Sequence, residues 1–497
     1  MQPPFRLTAL DLLRAYRSRE LSPREAMASV IARVEAFEPH ISATWLYAPD
    51  RAISEASASE ARWMKGEPIG PLDGVPVTVK DNIHTKGEPT PVGTAASDMT
   101  PAEADAPPAA RLREAGAILF AKTTMPDYGM LSSSLSSHHP LTRNPWKLDR
   151  NPGGSSAGAG ASAAALCGPL HVGTDIGGSI RLPAGWCGIV GLKPSAGRVP
   201  IDPPYIGRVA GPIARDAADA GLMMATLSLP DPRDYASLAF ESLDWAIRPA
   251  KLERMRIGLM LEAGCGGSPT REVREAVERA ARDFEAAGAR VEPLAPFLTQ
   301  EMLDGLDHFW RTRALIDLEA LAPGKRAAVL PFIRAWAESA EGFSGQHVLR
   351  GFSQIQAMAK AAIAATQEFD YVLSPTAPMT AFPAEWASPS RDPLNPFPHI
   401  GFTVPFNMSE QPAVSINCGF DTQGLPIGLQ IVGRRLDDVG VLSVARAYEE
   451  MRSAEMRPWP EPPRDRGERG DERGTVLGRL GGNQGEQPSS TPSPIDP

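Results

Sequence analysis

A chain of 497 residues, 42% hydrophobic and 22% charged, has the composition of a globular protein in water, with room for about three domains or for one large α/β unit. Its formal net charge of -9 argues against a nucleic-acid partner, because affinity for phosphates comes mostly from Lys and Arg. It contains no run of about 18 apolar residues, which argues against a membrane span.

The N-terminal segment reads as helical. Ser22-Pro23-Arg24-Glu25 supplies an N-cap, a proline at the first helical position and the glutamate of a capping box. Ala26, Val30 and Val34 then recur every fourth residue, with Met27 and Ile31 beside them, as an amphipathic helix requires. Residues 1–65 are therefore expected to form a helical cover on the core. Arg6, Asp11, Arg14 and Arg17 interrupt every apolar stretch at this end, so no signal peptide is expected.

From about residue 66 to 463 short β-rich runs alternate with helical stretches. Val75–Val79, Ala117–Phe120, Arg256–Leu261, Tyr371–Ser374, Ala413–Asn417 and Leu429–Val432 read as strands. Residues 107–115 and 271–287 read as helices between them, and this alternation predicts an α/β layer architecture. From about 464 to 497 the chain is charged, glycine-punctuated and then rich in Ser, Pro and Gln, which predicts a disordered tail. Cys167, Cys187, Cys265 and Cys418 are far apart and form no CxxC pair. This spacing predicts no structural zinc site and suggests unpaired thiols in a reducing, cytoplasmic setting.

The most informative stretch runs from Asn151 to Pro194. It holds two turns of paired glycines followed by serine, Gly153-Gly154-Ser155-Ser156 and Gly177-Gly178-Ser179, with an alanine-rich helix at about 159–166 between them. Paired glycines let a backbone approach a ligand closely and turn several N–H groups toward one point. Three readings follow from the residues. The segment is a close-packed helix–sheet junction, or a phosphate loop, or a nucleophile elbow centred on Ser156 within Gly154-Ser155-Ser156-Ala157-Gly158. The phosphate loop lacks its Gly-Lys-Ser/Thr. The elbow lacks the hydrophobic strand it needs, since Arg143–Pro152 precedes it.

Taken with its surroundings, this stretch resembles the signature of the amidase signature family. Val77–Asn82 resembles the family's lysine segment, and Ala121–Pro126 and Thr142–Trp146 resemble its next landmarks. Asn407–Pro412 and Gly424–Ile431 resemble its closing strands, so the likeness spans roughly residues 5–460. The chain departs from the usual pattern at Ala157 and Thr124. The resemblance implies an α/β/α sandwich around a large mixed β-sheet, no metal or other cofactor, and a homodimer as a common assembly. It also implies a Ser–Ser–Lys triad, with Ser179 as nucleophile, Ser155 as bridge and Lys80 as base. The backbone N–H groups of Ile176, Gly177, Gly178 and Ser179 would form the oxyanion hole.

Such a set suits amide cleavage, because serine is a weak nucleophile until a base takes its proton. A hydroxyl between the two can pass that proton and later return one to the leaving nitrogen. The family's acyl pocket follows the Lys122 landmark, here Tyr128, Gly129, Met130 and Leu131. Its apolar members imply a small aryl or alkyl amide, anilide, ester or carbamate as substrate, with urethanase activity inside that range. Two alternatives stand beside this: the glutaminase subunit of a tRNA-dependent amidotransferase, and a noncatalytic ligand-binding relative. Asp175 and Arg181 form either a brace for the nucleophile turn or a surface ion pair. Cys187 reads as a packed thiol, and His138-His139 as part of a loop.

Overall fold

An eleven-stranded mixed sheet organises the protein, seen here in a computed structural model that describes residues 2–452 and 458–463. The segment expected to be disordered, from about 464, lies outside the described residues. The strands are β1 (Thr44–Trp45), β2 (Pro76–Lys80), β3 (Ile118–Thr123), β4 (Leu170–Asp175), β5 (Val190–Lys193), β6 (Val209–Ala214), β7 (Arg256–Leu259), β8 (Arg290–Pro293), β9 (Tyr371–Pro375), β10 (Ala413–Phe420) and β11 (Pro426–Gly433). Their spatial order is β1-β3-β2-β4-β6-β5-β10-β11-β9-β7-β8. A large α/β fold with a mixed sheet is what the family resemblance implied.

Every residue of β2, β3, β4, β5 and β6 is buried. Strands covered on both faces read as continuous apolar runs rather than alternating ones, which is why Val75–Val79 and Ala117–Phe120 stand out in the sequence. β4, β5 and β6 do not stand out. They are diluted by Gly173, Gly191, Gly211 and Pro212, and their strand character comes from being clamped between neighbours.

β2 runs parallel to both β3 and β4, with Val79 opposite Val172. The carboxyl ends of β2 and β4 therefore emerge on the same edge, where open α/β sheets place their ligands. Lys80 ends β2, and Asp175, four residues before Ser179, ends β4.

The N-terminal residues form helices Ala9–Ser18, Pro23–Ile41 and Pro49–Lys65. Ser22 and Glu25 make the reciprocal capping box of the second. Thr44 and Trp45, expected to belong to an all-helical cover, instead pair antiparallel with Thr123 and Lys122 and so form one edge of the sheet. Helix Ala157–Ala164 is wholly buried and made of Ala, Gly and Ser. Small residues let it lie close to the sheet. A Cβ at Gly158 would sit 2.0 Å from Ala43 O and 2.5 Å from Thr124 N. Among the described residues no helix is long and apolar enough to cross a membrane.

Because Gly158 meets backbone atoms that cannot move aside, Gly158→Val is expected to destabilise the fold by about 3 kcal/mol or more. Equilibrium denaturation of the purified variant, or its failure to accumulate as folded protein, measures this.

Candidate active site

Lys80 is fully buried at the end of β2, and both of its hydrogen-bond partners are hydroxyls. Its Nζ lies 2.8 Å from Ser155 Oγ and 3.0 Å from Thr174 Oγ1. Asn82 Nδ2 donates to the same Thr174 oxygen at 3.1 Å. Burial, with help from the positive charge of Arg208, pushes the Lys80 ammonium down to about 7, although Asp175 and Asp81 pull the other way. A large share of this amine is therefore neutral at physiological pH.

Ser155 and Ser156 occupy the turn that enters helix Ala157–Ala164, and the Gly154–Ser155 peptide is cis. The two serines have different surroundings. Ser156 is fully buried and ties the turn to β4: its Oγ accepts from Thr174 N–H and donates to Thr174 O, at 3.3 and 3.2 Å. Its own N–H donates to Ser179 O at 3.1 Å, holding the two signature turns together. Ser156 is thus consumed in structure, which disposes of the elbow reading. Ser155 Oγ faces Lys80 and the cavity.

The second turn follows β4. Asp175 Oδ1 accepts from Gly178 N–H (2.8 Å) and Oδ2 accepts from Ile180 N–H (3.0 Å), which curls the chain around the carboxylate. Gly178 has φ of +127°, a conformation that side chains resist. Ser179 sits on the outside of this curl, facing the cavity, and its Oγ makes no hydrogen bond to any described residue. The amides of Ile176, Gly177 and Ser179 donate to no acceptor among the described residues, whereas that of Gly178, expected in the oxyanion hole, is committed to Asp175. Three of the four expected donors remain available to a ligand.

Asp175 and Arg181 are both fully buried and joined through two bonds, Nε to Oδ2 (3.1 Å) and Nη2 to Oδ1 (3.0 Å). Burial alone raises a carboxyl, but Arg181, Asn407 and the Ile180 amide outweigh it and hold Asp175 well below the usual carboxylate range. Arg181 Nη1 also donates to Thr403 O and Gln430 Oε1, and Asn407 Nδ2 donates to Asp175 Oδ1. Thr403 Oγ1 donates to Gly177 O at 2.6 Å. The pair is a brace, and it anchors the serine turn to residues more than two hundred positions away.

A cavity of about 230 Å³ lies over these groups, lined by Ser155, Ser179, Ile176 and Gly177 together with the expected Gly129, Met130 and Leu131. Gly129 abuts the bridge position: a Cβ there would be 3.2 Å from Ser155 Oγ. The far wall comes from Trp310 and Arg313 on helix Gln300–Glu319, and from Phe397 and Ile400. Val92, Asp202 and Arg208 complete it. None of these carried a motif in the sequence. The remaining candidates are structural. Cys187 is buried with its thiol against Pro152 O, and His139 Nε2 lies 3.2 Å from Asp81 Oδ2 in a loop packed on Trp45. Among the described residues no group of three or more His, Cys, Asp or Glu side chains is disposed to hold a metal.

The amidase family profile matches residues 25–442. The chain belongs to the amidase signature family. It is 33% identical over 482 residues to a glutamyl-tRNA(Gln) amidotransferase subunit of Moorella thermoacetica, covering 90% of this chain and 96% of the relative. It is 35% identical over 482 residues to the corresponding amidotransferase subunit of Thermosynechococcus vestitus, covering 88% and 97%. Among solved structures, a bacterial aryl acylamidase of the same family superposes with a TM-score of 0.83 at 29% identity, over 90% of this chain and 96% of that one. The peptide amidase of Stenotrophomonas maltophilia superposes at 0.77 with 25% identity, over 92% and 99%.

Replacing Arg181 by Met leaves Asp175 charged and buried without its partner. That is expected to cost about 3–5 kcal/mol, read as a lower denaturation midpoint.

Proposed function

We propose that this amidase cleaves the carbon–nitrogen bond of a small amide through an acyl-enzyme on Ser179, with Ser155 bridging to neutral Lys80. The observation that carries the reading is a buried lysine without a bonded carboxylate, 2.8 Å from one serine of a cavity onto which a second serine opens. Neutral Lys80 donates one N–H to Thr174 and offers its lone pair to the Ser155 hydroxyl. Ser155 then accepts the Ser179 proton as Ser179 Oγ adds to the carbonyl carbon. The oxygen that becomes negative is held by the amides of Ile176, Gly177 and Ser179, each essential donor contributing about 3–4 kcal/mol in comparable sites. Collapse of the tetrahedral species expels the amine, protonated by the same relay in reverse, and water repeats the sequence on the acyl-enzyme.

Substrate class follows from the lining. Tyr128, Met130, Leu131, Trp310, Phe397 and Ile400 favour an apolar acyl or aryl group, consistent with the structural likeness to an aryl acylamidase. Anilides, alkyl amides, esters and carbamates all fit this description. The sequence similarity to the glutamyl-tRNA(Gln) amidotransferase subunits supports a second reading, in which glutamine is the amide donor. Comparing kcat/KM for 4-nitroanilides, carbamates and glutamine separates them: glutamine turnover above every anilide would replace the first reading with the second. A fluorophosphonate probe that fails to label Ser179 would favour a noncatalytic relative.

Ser179→Ala is expected to lower kcat on the order of 10⁴–10⁶-fold and to abolish the acyl-enzyme mass adduct while the fold persists. Activity retained in Ser179→Ala and lost in Ser156→Ala would reverse the assignment.

The pH profile tests Lys80. Below about 7 the amine is protonated and cannot accept a proton, so kcat/KM should rise with pH along one ascending limb centred near 7. Lys80→Arg should be inactive across the range because guanidinium does not deprotonate. An unchanged limb in Lys80→Ala would remove lysine from the mechanism.

A further inference from the structure

Two arginines share the cavity with the serines, and no catalytic step uses either. Arg208 immediately precedes β6, and Arg313 comes from helix Gln300–Glu319; both line the same space as Ser155 and Ser179. Arg208 Nη1 donates to Pro203 O at 3.1 Å. The Arg313 guanidinium lies over the Tyr205 ring, 3.8 Å from its centroid. Neither guanidinium is ion-paired within 4.0 Å of a described carboxylate, in contrast to Arg181, whose charge is fully matched.

The surrounding carboxylates do not bond to them. Asp175, the buried acid on the cavity wall, is taken by Arg181. Asp202 lines the mouth and is exposed, and Asp317 stands one turn beyond Arg313. Burial and the neighbouring Arg313 both act to lower the proton affinity of Arg208, and Arg208 in turn helps to discharge Lys80. Like charges are therefore held around one cavity without a bonded counterion among the described residues. With Asp175 paired to Arg181, the lining sets the two guanidiniums against the carboxylate of Asp202, and Asp317, outside the lining, acts on Arg313 without bonding it.

Resting on the amidase reading above, we infer that the substrate carries a carboxylate, bound by Arg208 and Arg313, beside the apolar group that fills the rest of the cavity. A carboxylate supplies the bonded acceptor that both guanidiniums lack while adding less negative charge than a phosphate dianion. The planar fork of arginine matches a carboxylate with two parallel bonds. Stacking on Tyr205 pre-orders Arg313, so little side-chain freedom is lost on binding. The size is compatible: a cavity of about 150 Å³ accepts a benzene ring, and 230 Å³ adds space for a short carboxylate-bearing chain. The carboxylate belongs either to the acyl part or to the departing amine.

Calorimetric binding to Ser179→Ala tests the inference without turnover. Two matched pairs are used: succinic acid mono-4-nitroanilide and its methyl ester, with the charge on the acyl side, and 4-(butyrylamino)benzoate and its methyl ester, with the charge on the amine side. In one pair the acid should bind about tenfold or more tighter than the ester, as a charged hydrogen bond allows. Adding Arg313→Gln or Arg208→Gln should bring that ratio close to one, and Arg313→Lys should keep part of it, with thermal melts confirming that each variant is folded. Equal affinity within both pairs, no binding by any probe, or a preference that survives both Gln substitutions would overturn the inference. Wild-type turnover of the esters with no preference for acids would overturn it and leave the amidase reading intact. A binding preference without turnover would support the inference and overturn the amidase reading instead.

Discussion

The contact between Asp175 and Arg181 is the one on which the site depends. A carboxylate and a guanidinium taken fully out of water are stable only when nearly every lone pair and proton is matched. Here the matching partners are the amides of the turn itself, the backbone carbonyl of Thr403 and the side chains of Asn407 and Gln430. The desolvation cost of the pair therefore enforces a particular backbone path around Asp175. That path turns Gly178 inward and Ser179 outward, leaving the amides on either side of Gly178 open to a ligand. The open amides proposed as an oxyanion site are in this sense a by-product of satisfying a buried charge.

Electrostatics of the opposite kind govern Lys80. It is as deeply buried as Asp175, yet its bonded partners are hydroxyls, so the protein relieves the desolvation cost by releasing a proton rather than by supplying an anion. One edge of the sheet thus holds two buried ionisable groups close to the same pair of serines. One is kept charged and shapes the backbone, and the other is kept near neutrality, as the proposed relay requires. Parallel pairing of β2 with β4 makes this possible, since it brings both strand ends to one edge while their surroundings differ.

The third element is the far wall of the cavity, drawn mostly from the second half of the chain. Trp310, Phe397 and Ile400 close an apolar space over the serines, and Arg208 and Arg313 place positive charge in it. The candidate reacting groups Lys80, Ser155 and Ser179 all come from the first half of the chain, but the brace behind them is tied to Thr403, Asn407 and Gln430 in the second. Residues from later in the chain supply much of the cavity lining over these groups, and proteins similar to this one carry names that range from aryl acylamidase to amidotransferase.

From the residues alone, the strands with β-branched runs, the capped helix at Ser22 and the two glycine-serine turns were legible. Local chemistry marks all of them: valine runs, a capping box, paired glycines before serine. β4, β5 and β6 were not legible, because glycine and proline dilute their pattern and only neighbouring strands hold them extended. Whether Asp175 and Arg181 brace the turn or sit on the surface also stayed open, since burial is a property of what packs over a pair. The far wall of the cavity left no trace in the sequence, because Arg208, Trp310, Arg313 and Phe397 share no local pattern and meet only when the chain is folded. Local sequence determined the turns and strands, and the family resemblance named Lys80, Ser155 and Ser179 as the candidate reacting groups; long-range packing decided their surroundings and what they face.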